Sequence, residues 1–391
     1  MHLPSYPFCK RGAQFVAHHV VLEYCLFHYP WLVKNNNSEF TATMFVIGLL
    51  LLATLDYTGA QTGVCYGRLG SGLPSPADVV ALCKQNNIKR MRIYDPDHST
   101  LQALAGSNIE VILGVPNTDL QNVAASQDNA NNWVKNNVRN YPNVKFRYIA
   151  VGNEISPLAC TAGCPDFVLP AIRNIFNAIS AAGLGNQIKV STAVETGLVG
   201  NSFPPSAGTF QPQAQKFINP IVQFLASKGA PLLVNVYPYF VYIGNPGSIA
   251  LDYALFTASG ITLPDGVKYQ NLFDAILDAI HSALERAGGS SVEIVVSETG
   301  WPSAGGGQAT SIDNARTYNN NLIKHVNGSS GTPRRPGKAI ETYIFNLFDE
   351  DQKIPEYENH FGIFLPNKKG KGTSVWHMLL QLWSKTIFPV K

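Results

Sequence analysis

The 391-residue chain has a formal net charge of +3, with 14% charged and 45% apolar residues. That apolar content supports a substantial core in one large domain or two ordinary ones. The sparse Lys and Arg form no basic stripe to neutralise phosphates, which excludes nucleic acid as a partner, whereas a neutral hydroxylated ligand needs no charged surface.

The first readable segment is MFVIGLLLLATLDYTGA, which starts at Met44 with an apolar core over 45–55 followed by the small residues Thr58, Gly59 and Ala60. It has the layout of a secretory signal peptide and is too short for a comfortable membrane span. Residues 1–43 show no sustained period and contain NNN and HH clusters, so they read as an unassigned leader such as an over-extended gene model would add. Residues 44–60 are then the signal. The mature chain is expected to start at Gln61, to be secreted to the cell exterior or delivered to a vacuole, and to leave the membrane once the signal is removed.

From Thr62 onward short apolar runs alternate with longer amphipathic stretches, as repeated βα units require. Eight strands are expected: TGVCYG (62–67), KRMRIYD (89–95), EVILGVP (110–116), KFRYIAVGNE (145–154), IKVSTAVE (188–195), PLLVNVYPYF (231–240), VEIVVSE (292–298) and ETYIFNLFDE (341–350). Between them, Val168, Ile172, Ile175, Phe176 and Ile179 keep helical spacing, as do Phe273, Ile276, Leu277, Ile280 and Leu284. The pattern predicts a single-domain α/β protein, a (β/α)8 TIM barrel over 61–367, with turn signals marking a long loop after the sixth strand. A doubly wound sheet fits less well, because eight units exceed its usual count and the first strand lacks a GxGxxG turn.

Cys160 and Cys164 in CTAGC have no second pair and no histidine cluster nearby, so no metal and no cofactor are expected, and a local disulfide remains open. Cys65 and Cys83 read as buried apolar residues. Asn327-Gly-Ser is a glycosylation sequon in a Gly/Ser loop. After Asn367 the chain ends in an atypical tail, 368–391, where KKGKG reads as a charged hinge and Trp376 and Trp383 share a helical face.

Two strand ends carry carboxylates. Glu154 follows the fourth strand, with Gly152 permitting close approach and Asn153 beside it, and Glu298 ends the seventh. Barrel active sites lie at the C-terminal ends of strands, and glycoside hydrolysis needs one carboxyl to protonate the leaving oxygen and another to attack or to activate water. A retaining pair would stand roughly 5 to 5.5 Å apart. Tyr94, Tyr237, Phe240 and Trp301 occupy strand ends or the turns after them, where flat rings can stack on sugar faces; Tyr239 and Phe348 occupy similar places. In LFDEDQK, Glu350 and Lys353 are candidates to tune the pair, with Glu358 soon after. HExxH and GxSxG are absent, and GTPRRPGKA does not fit a P-loop.

The motifs GVCYG, RMRIYDPD, VILGVPN, YIAVGNEISP, VSTAVE, LVNVYPYF, VVSETGWPSAG and FDEDQKIPEYENHFGIF span nearly all of 61–367. Through them the chain resembles the plant glucan endo-1,3-beta-glucosidases of glycoside hydrolase family 17, a pathogenesis-related class. The resemblance implies a barrel, retention of anomeric configuration, Glu154 as acid/base and Glu298 as nucleophile, with Glu350, Lys353 and Glu358 in support. The expected protein is a monomer that takes β-1,3-glucan such as callose or fungal wall polymer, with the strand-end residues Tyr94, Asn153, Tyr237, Phe240 and Trp301 lining the groove around the two glutamates. A mixed-linkage 1,3;1,4-β-glucanase on the same scaffold, or a barrel that binds glucan without cutting it, are the alternatives. The leader and the tail depart from the family pattern.

Overall fold

The computed structural model describes residues 62–158, 165–328 and 330–373. The expectations for residues 1–61, for the Cys160 and Cys164 pair, and for Trp376 and Trp383 fall outside these residues.

Eight parallel strands close into a barrel: β1 (Thr62–Tyr66), β2 (Arg90–Ile93), β3 (Glu110–Val115), β4 (Lys145–Asn153), β5 (Lys189–Glu195), β6 (Leu232–Asn235), β7 (Ile294–Thr299) and β8 (Thr342–Ile344). Each strand pairs with its sequence neighbours, and β1 with β8 completes the ring. Burial on both faces explains the near-continuous apolar runs: every residue of β1, β2, β6, β7 and β8 is buried. Helices between the strands cover the barrel. In Leu272–Arg286, Phe273, Leu277, Ile280 and Leu284 face inward, and Asn271 caps the first turn by accepting from the Asp274 amide. Glu341 sits at the N-terminal end of the barrel, ion-paired with Arg147 at 2.8 Å and Arg90 at 3.6 Å and accepting from the Tyr148 and Tyr343 hydroxyls.

Most strands are a little shorter than their sequence runs, and the sixth and eighth end well before theirs, at Asn235 rather than residue 240 and at Ile344 rather than residue 350. The sixth ends at Asn235 because Pro238 opens a helix, Pro238–Gly244, in which a missing amide costs nothing at the first turn. The eighth ends at Ile344 because the next residues pair elsewhere: Asn346 N donates to Phe361 O, and Phe364 N to Leu347 O. KKGKG, read as a flexible hinge, is in part tied to the barrel: Lys371 Nζ lies 2.7 Å from Asp349 Oδ1, and its amide donates to Ile363 O. Cys65 and Cys83 are free and buried. Asn327 closes the helix Ile312–Asn327, and its Oδ1 accepts from the Thr62 hydroxyl at 3.0 Å, so the sequon asparagine is anchored rather than loose in a loop.

Strand register decides which side chains meet. Glu298 and Glu195 are both level with Asn235, and Asn153 is level with Ala193. Irregularities between Val296 and Glu298 and between Ala150 and Asn153 interrupt the ladder just below the functional ends, where bulges re-aim side chains.

Candidate active site

A groove of about 880 Å³ crosses the C-terminal mouth of the barrel, lined from seven of the eight strand ends. Glu154, Glu298, Tyr94, Asn153, Tyr237 and Phe240 all line it, as do Glu350, Lys353 and Glu358. The carboxylates of the fourth and seventh strands therefore share one groove, with Tyr94, Asn153, Tyr237 and Phe240 around them.

Glu298 is 6% exposed and surrounded by donors. Arg92 Nη1 and the Tyr94 hydroxyl each donate to Oε1 at 2.9 Å, and the Tyr237 hydroxyl donates to Oε2 at 2.7 Å. Burial comes first, with nearby negative charge adding to it, in pushing both phenols well above their ordinary range, so they remain protonated donors. Tyr94 and Tyr237 thus do more than wall the groove: they position the carboxylate.

Glu154 is handled in the opposite way. Its one side-chain hydrogen bond comes from Asn235 Nδ2 at 2.8 Å. It stands open to the groove, yet loss of hydration among the walls, and then the charge of Glu298, push its carboxyl up to about 7. Its backbone holds φ +52°, a left-handed conformation that is costly for a glutamate, and Gly152, two residues before it, has φ +78°. Asn117 clamps this turn from both sides: its Oδ1 accepts from the Asn153 amide at 2.8 Å, and its Nδ2 donates to the Asn153 carbonyl at 2.9 Å.

One hydrogen-bonded cluster joins the two glutamates. Arg92 Nη1 also donates to Asn235 Oδ1 at 2.9 Å, and Arg92 Nη2 donates to Asn153 Oδ1 at 2.7 Å. Asn235 Oδ1 accepts from the Ser297 hydroxyl as well, at 2.8 Å. Sequence reasoning passed over Arg92 and Asn235, although each is a polar residue inside an apolar strand run, RMRI and LLVN. A guanidinium buried there demands a carboxylate partner, and that signal could have found it.

Glu350 and Lys353 form an ion pair at 2.8 Å on the groove wall. Glu350 also accepts from the Leu69 amide at 2.7 Å and from Asn346 Nδ2 at 2.6 Å, which fixes the loop after β1. A side chain at Gly67 would collide with this carboxylate and displace it from its partners. Burial, together with the charges of Glu298 and Glu350, raises the pKa of Glu358 against the opposing effect of Lys353.

Trp301 departs from expectation. It is 1% exposed and absent from the groove lining, its ring packs at 5.1 Å on Tyr239 and 5.5 Å on Tyr318, and its Nε1 donates to the Ala309 carbonyl. The turn after Glu298 carries it beneath the wall, where a large ring gains more from burial than from solvent. Tyr239 and Phe348 are likewise buried. Among the described residues no group of three or more His, Cys, Asp or Glu side chains could hold a metal ion.

A carboxyl pushed up to about 7, beside one held by three hydrogen-bond donors, can serve as acid and nucleophile in one groove. A (β/α)8 barrel with that pair at its rim has the build of a glycoside hydrolase. Residues 62–373 match glycosyl hydrolases family 17, and the chain belongs to that family. It is 55% identical over 341 residues to a protein of Nicotiana tabacum named glucan endo-1,3-beta-glucosidase, basic vacuolar isoform, covering 86% of this chain and 91% of that one. A Vitis vinifera protein named glucan endo-1,3-beta-glucosidase is 56% identical over 340 residues, covering 86% of this chain and 97% of its own length. Among solved structures, a beta-1,3-glucanase and allergen of Cryptomeria japonica pollen superposes with a TM-score of 0.78 at 49% identity, covering 81% of this chain and 99% of that chain.

Proposed function

We propose that the protein is an endo-acting hydrolase of internal β-1,3-glucosidic bonds in glucans and works with retention of configuration. The carrying observation is the opposed treatment of two carboxyls in one groove: Glu154 with its pKa near 7, Glu298 held by three donors. Family membership and the names of the relatives support the substrate class, and a groove lined from seven strand ends supports cutting within a chain. Glu154 protonates the departing glycosidic oxygen while Glu298 attacks the anomeric carbon. Glu154 then takes a proton from water, which attacks the same carbon and frees Glu298. Tyr94 and Tyr237 orient the nucleophile, Asn153 offers its unshared Nδ2 to sugar, and Phe240 presents a ring to the groove. Glu350 and Lys353 hold the wall, with Glu358 beside them.

We also infer that the segment at Met44 directs the chain into the secretory pathway, that the mature monomer begins at Gln61, and that it serves in plant defence outside the cell or in a vacuole. The deciding experiment measures reducing-sugar release from a linear β-1,3-glucan by the parent and by Glu298→Gln, with mixed-linkage 1,3;1,4-glucan in parallel. Cleavage of the linear glucan, lost by at least about a thousandfold in the variant, is expected. A Glu298→Gln protein of near-parental rate overturns the mechanism, and a preference for the mixed-linkage polymer overturns the substrate. Proton NMR of the first product should show the β-anomer, and an initial α-anomer would mean inversion.

A further inference from the structure

A separate cavity of about 410 Å³ lies on the helical shell that covers β2 to β4. It is lined by Asn122, Asn129, Asn132, Asn136, Asn137 and Asn140, with the Trp133 and His98 rings. No carboxylate and no ammonium group is in the lining. Asn132, Asn136 and Asn140 recur every fourth residue along the helix Gln127–Val134 and its π-helical continuation, Lys135–Arg139, so they share one exposed face. None of these three carboxamides hydrogen-bonds to another described residue. Asn122 and Asn129 are fixed instead, with Asn129 Nδ2 donating to the Asn122 side chain at 2.9 Å and to its carbonyl at 2.8 Å.

This chemistry selects its ligand. Each carboxamide offers two donors and an acceptor without charge, which matches hydroxyl groups that both give and take hydrogen bonds. A phosphate or an acidic peptide would find no permanent cation, and an apolar ligand would strand the amides without partners. The position also matters. His98 is exposed and follows Asp97, whose Oδ1 lies 3.0 Å from Arg68 Nη1, and Arg68 lines the groove. Arg68, which lines the groove, is thus joined through Asp97 to His98, which lines the cavity.

We propose that this asparagine-lined cavity is a second carbohydrate site that holds a distant stretch of the same β-1,3-glucan whose internal bond lies in the groove; this rests on the catalytic reading above. A weak site of this kind raises the effective concentration of polymer at the groove without touching the reacting bond. The test uses adsorption of the full chain to insoluble β-1,3-glucan, with Glu298→Gln as the background so that the polymer is not consumed. Adding Asn132→Ala and Asn136→Ala should weaken adsorption about three- to tenfold, as loss of one of two linked sites does. In the active background the same pair should slow hydrolysis of the insoluble polymer and leave kcat/KM on a soluble pentasaccharide within about twofold. Unchanged adsorption overturns the proposal. So does an equal loss on polymer and pentasaccharide, which would mark a fold effect; thermal melts and Asn140→Ala alone check this independently. A parent inactive on both substrates would sink the catalytic reading instead, while the adsorption measurement would still decide the second site.

Discussion

The guanidinium of Arg92 lies 2.9 Å from Oε1 of Glu298, with both groups almost wholly withdrawn from water. A buried pair is costly to break because the remaining charge is left without compensation. Arg92→Met is therefore expected to destabilise the fold by about 3–5 kcal/mol. Combining it with Glu298→Gln should recover part of that loss. Urea unfolding of the parent, both single variants and the double variant measures the coupling, and additive losses would mean that the pair is not energetically linked.

The pH dependence of activity should follow Glu154. As the proton donor it must be protonated, so kcat/KM is expected to fall as pH rises through about 7. Asn235 Nδ2 donates to Glu154 Oε1 and favours its charged form. Asn235→Ala should lower the rate and move the alkaline limb to higher pH. A limb that stays in place under this substitution would assign it to another group.

Glu154 also bears on stability. Its folded-state value of about 7 stands above the ordinary 4.5, so the native protein keeps a proton that the unfolded chain releases between those values. The contribution of this group is fully present below 4.5 and is lost as pH rises through about 7. Solvent contact at this open carboxyl screens the effect, so the direction is what the experiment reads. Glu154→Gln should melt higher than the parent at pH 8 and at the same temperature at pH 4. Equal melts at both values would remove the penalty from this residue.

His281 has the reverse sign. Burial, and then the charge of Arg335, lower its pKa from 6.5 to about 4, and it is 7% exposed. Above 6.5 it is neutral in both states, but as pH falls toward 4 the unfolded chain takes a proton that the native state refuses. The loss over this window is about 3 kcal/mol. His281→Gln should flatten the decline in stability between pH 7 and pH 4, and an unaltered slope in chemical denaturation would refute the assignment.

Trp301 separates packing from binding. Its ring lies among Tyr239, Tyr242 and Tyr318. Trp301→Ala is expected to cost about 3–5 kcal/mol of stability. The fraction that remains folded should keep a near-parental KM. A raised KM at an unchanged melting temperature would return Trp301 to the groove wall.

Much of this site was legible before folding was considered. Glu154 and Glu298 stood out because each ends an apolar strand run in a repeating βα pattern, and that pattern alone places strand ends on one face. Arg92 and Asn235 did not stand out. Their importance comes from strand register, which sets Glu298 level with Asn235 and lets Arg92 reach across the barrel to β7. Trp301 misled because an aromatic two or three residues past a strand end can turn either toward the groove or beneath it, and composition does not distinguish the two.

By itself the sequence determined the (β/α)8 class, the number of strands and the pair of glutamates, because periodicity and order along the chain are local properties. Only the tertiary structure decided that the Glu154 carboxyl is pushed up to about 7 while Glu298 is held by Arg92, Tyr94 and Tyr237. Those differences arise from burial and from donors carried by β2, β6 and the residues just after them, up to 206 positions in the chain from the carboxylate they hold. Hydration and charge fall off with distance in space, not along the chain, so only closure of the barrel could make two like carboxyls chemically unlike.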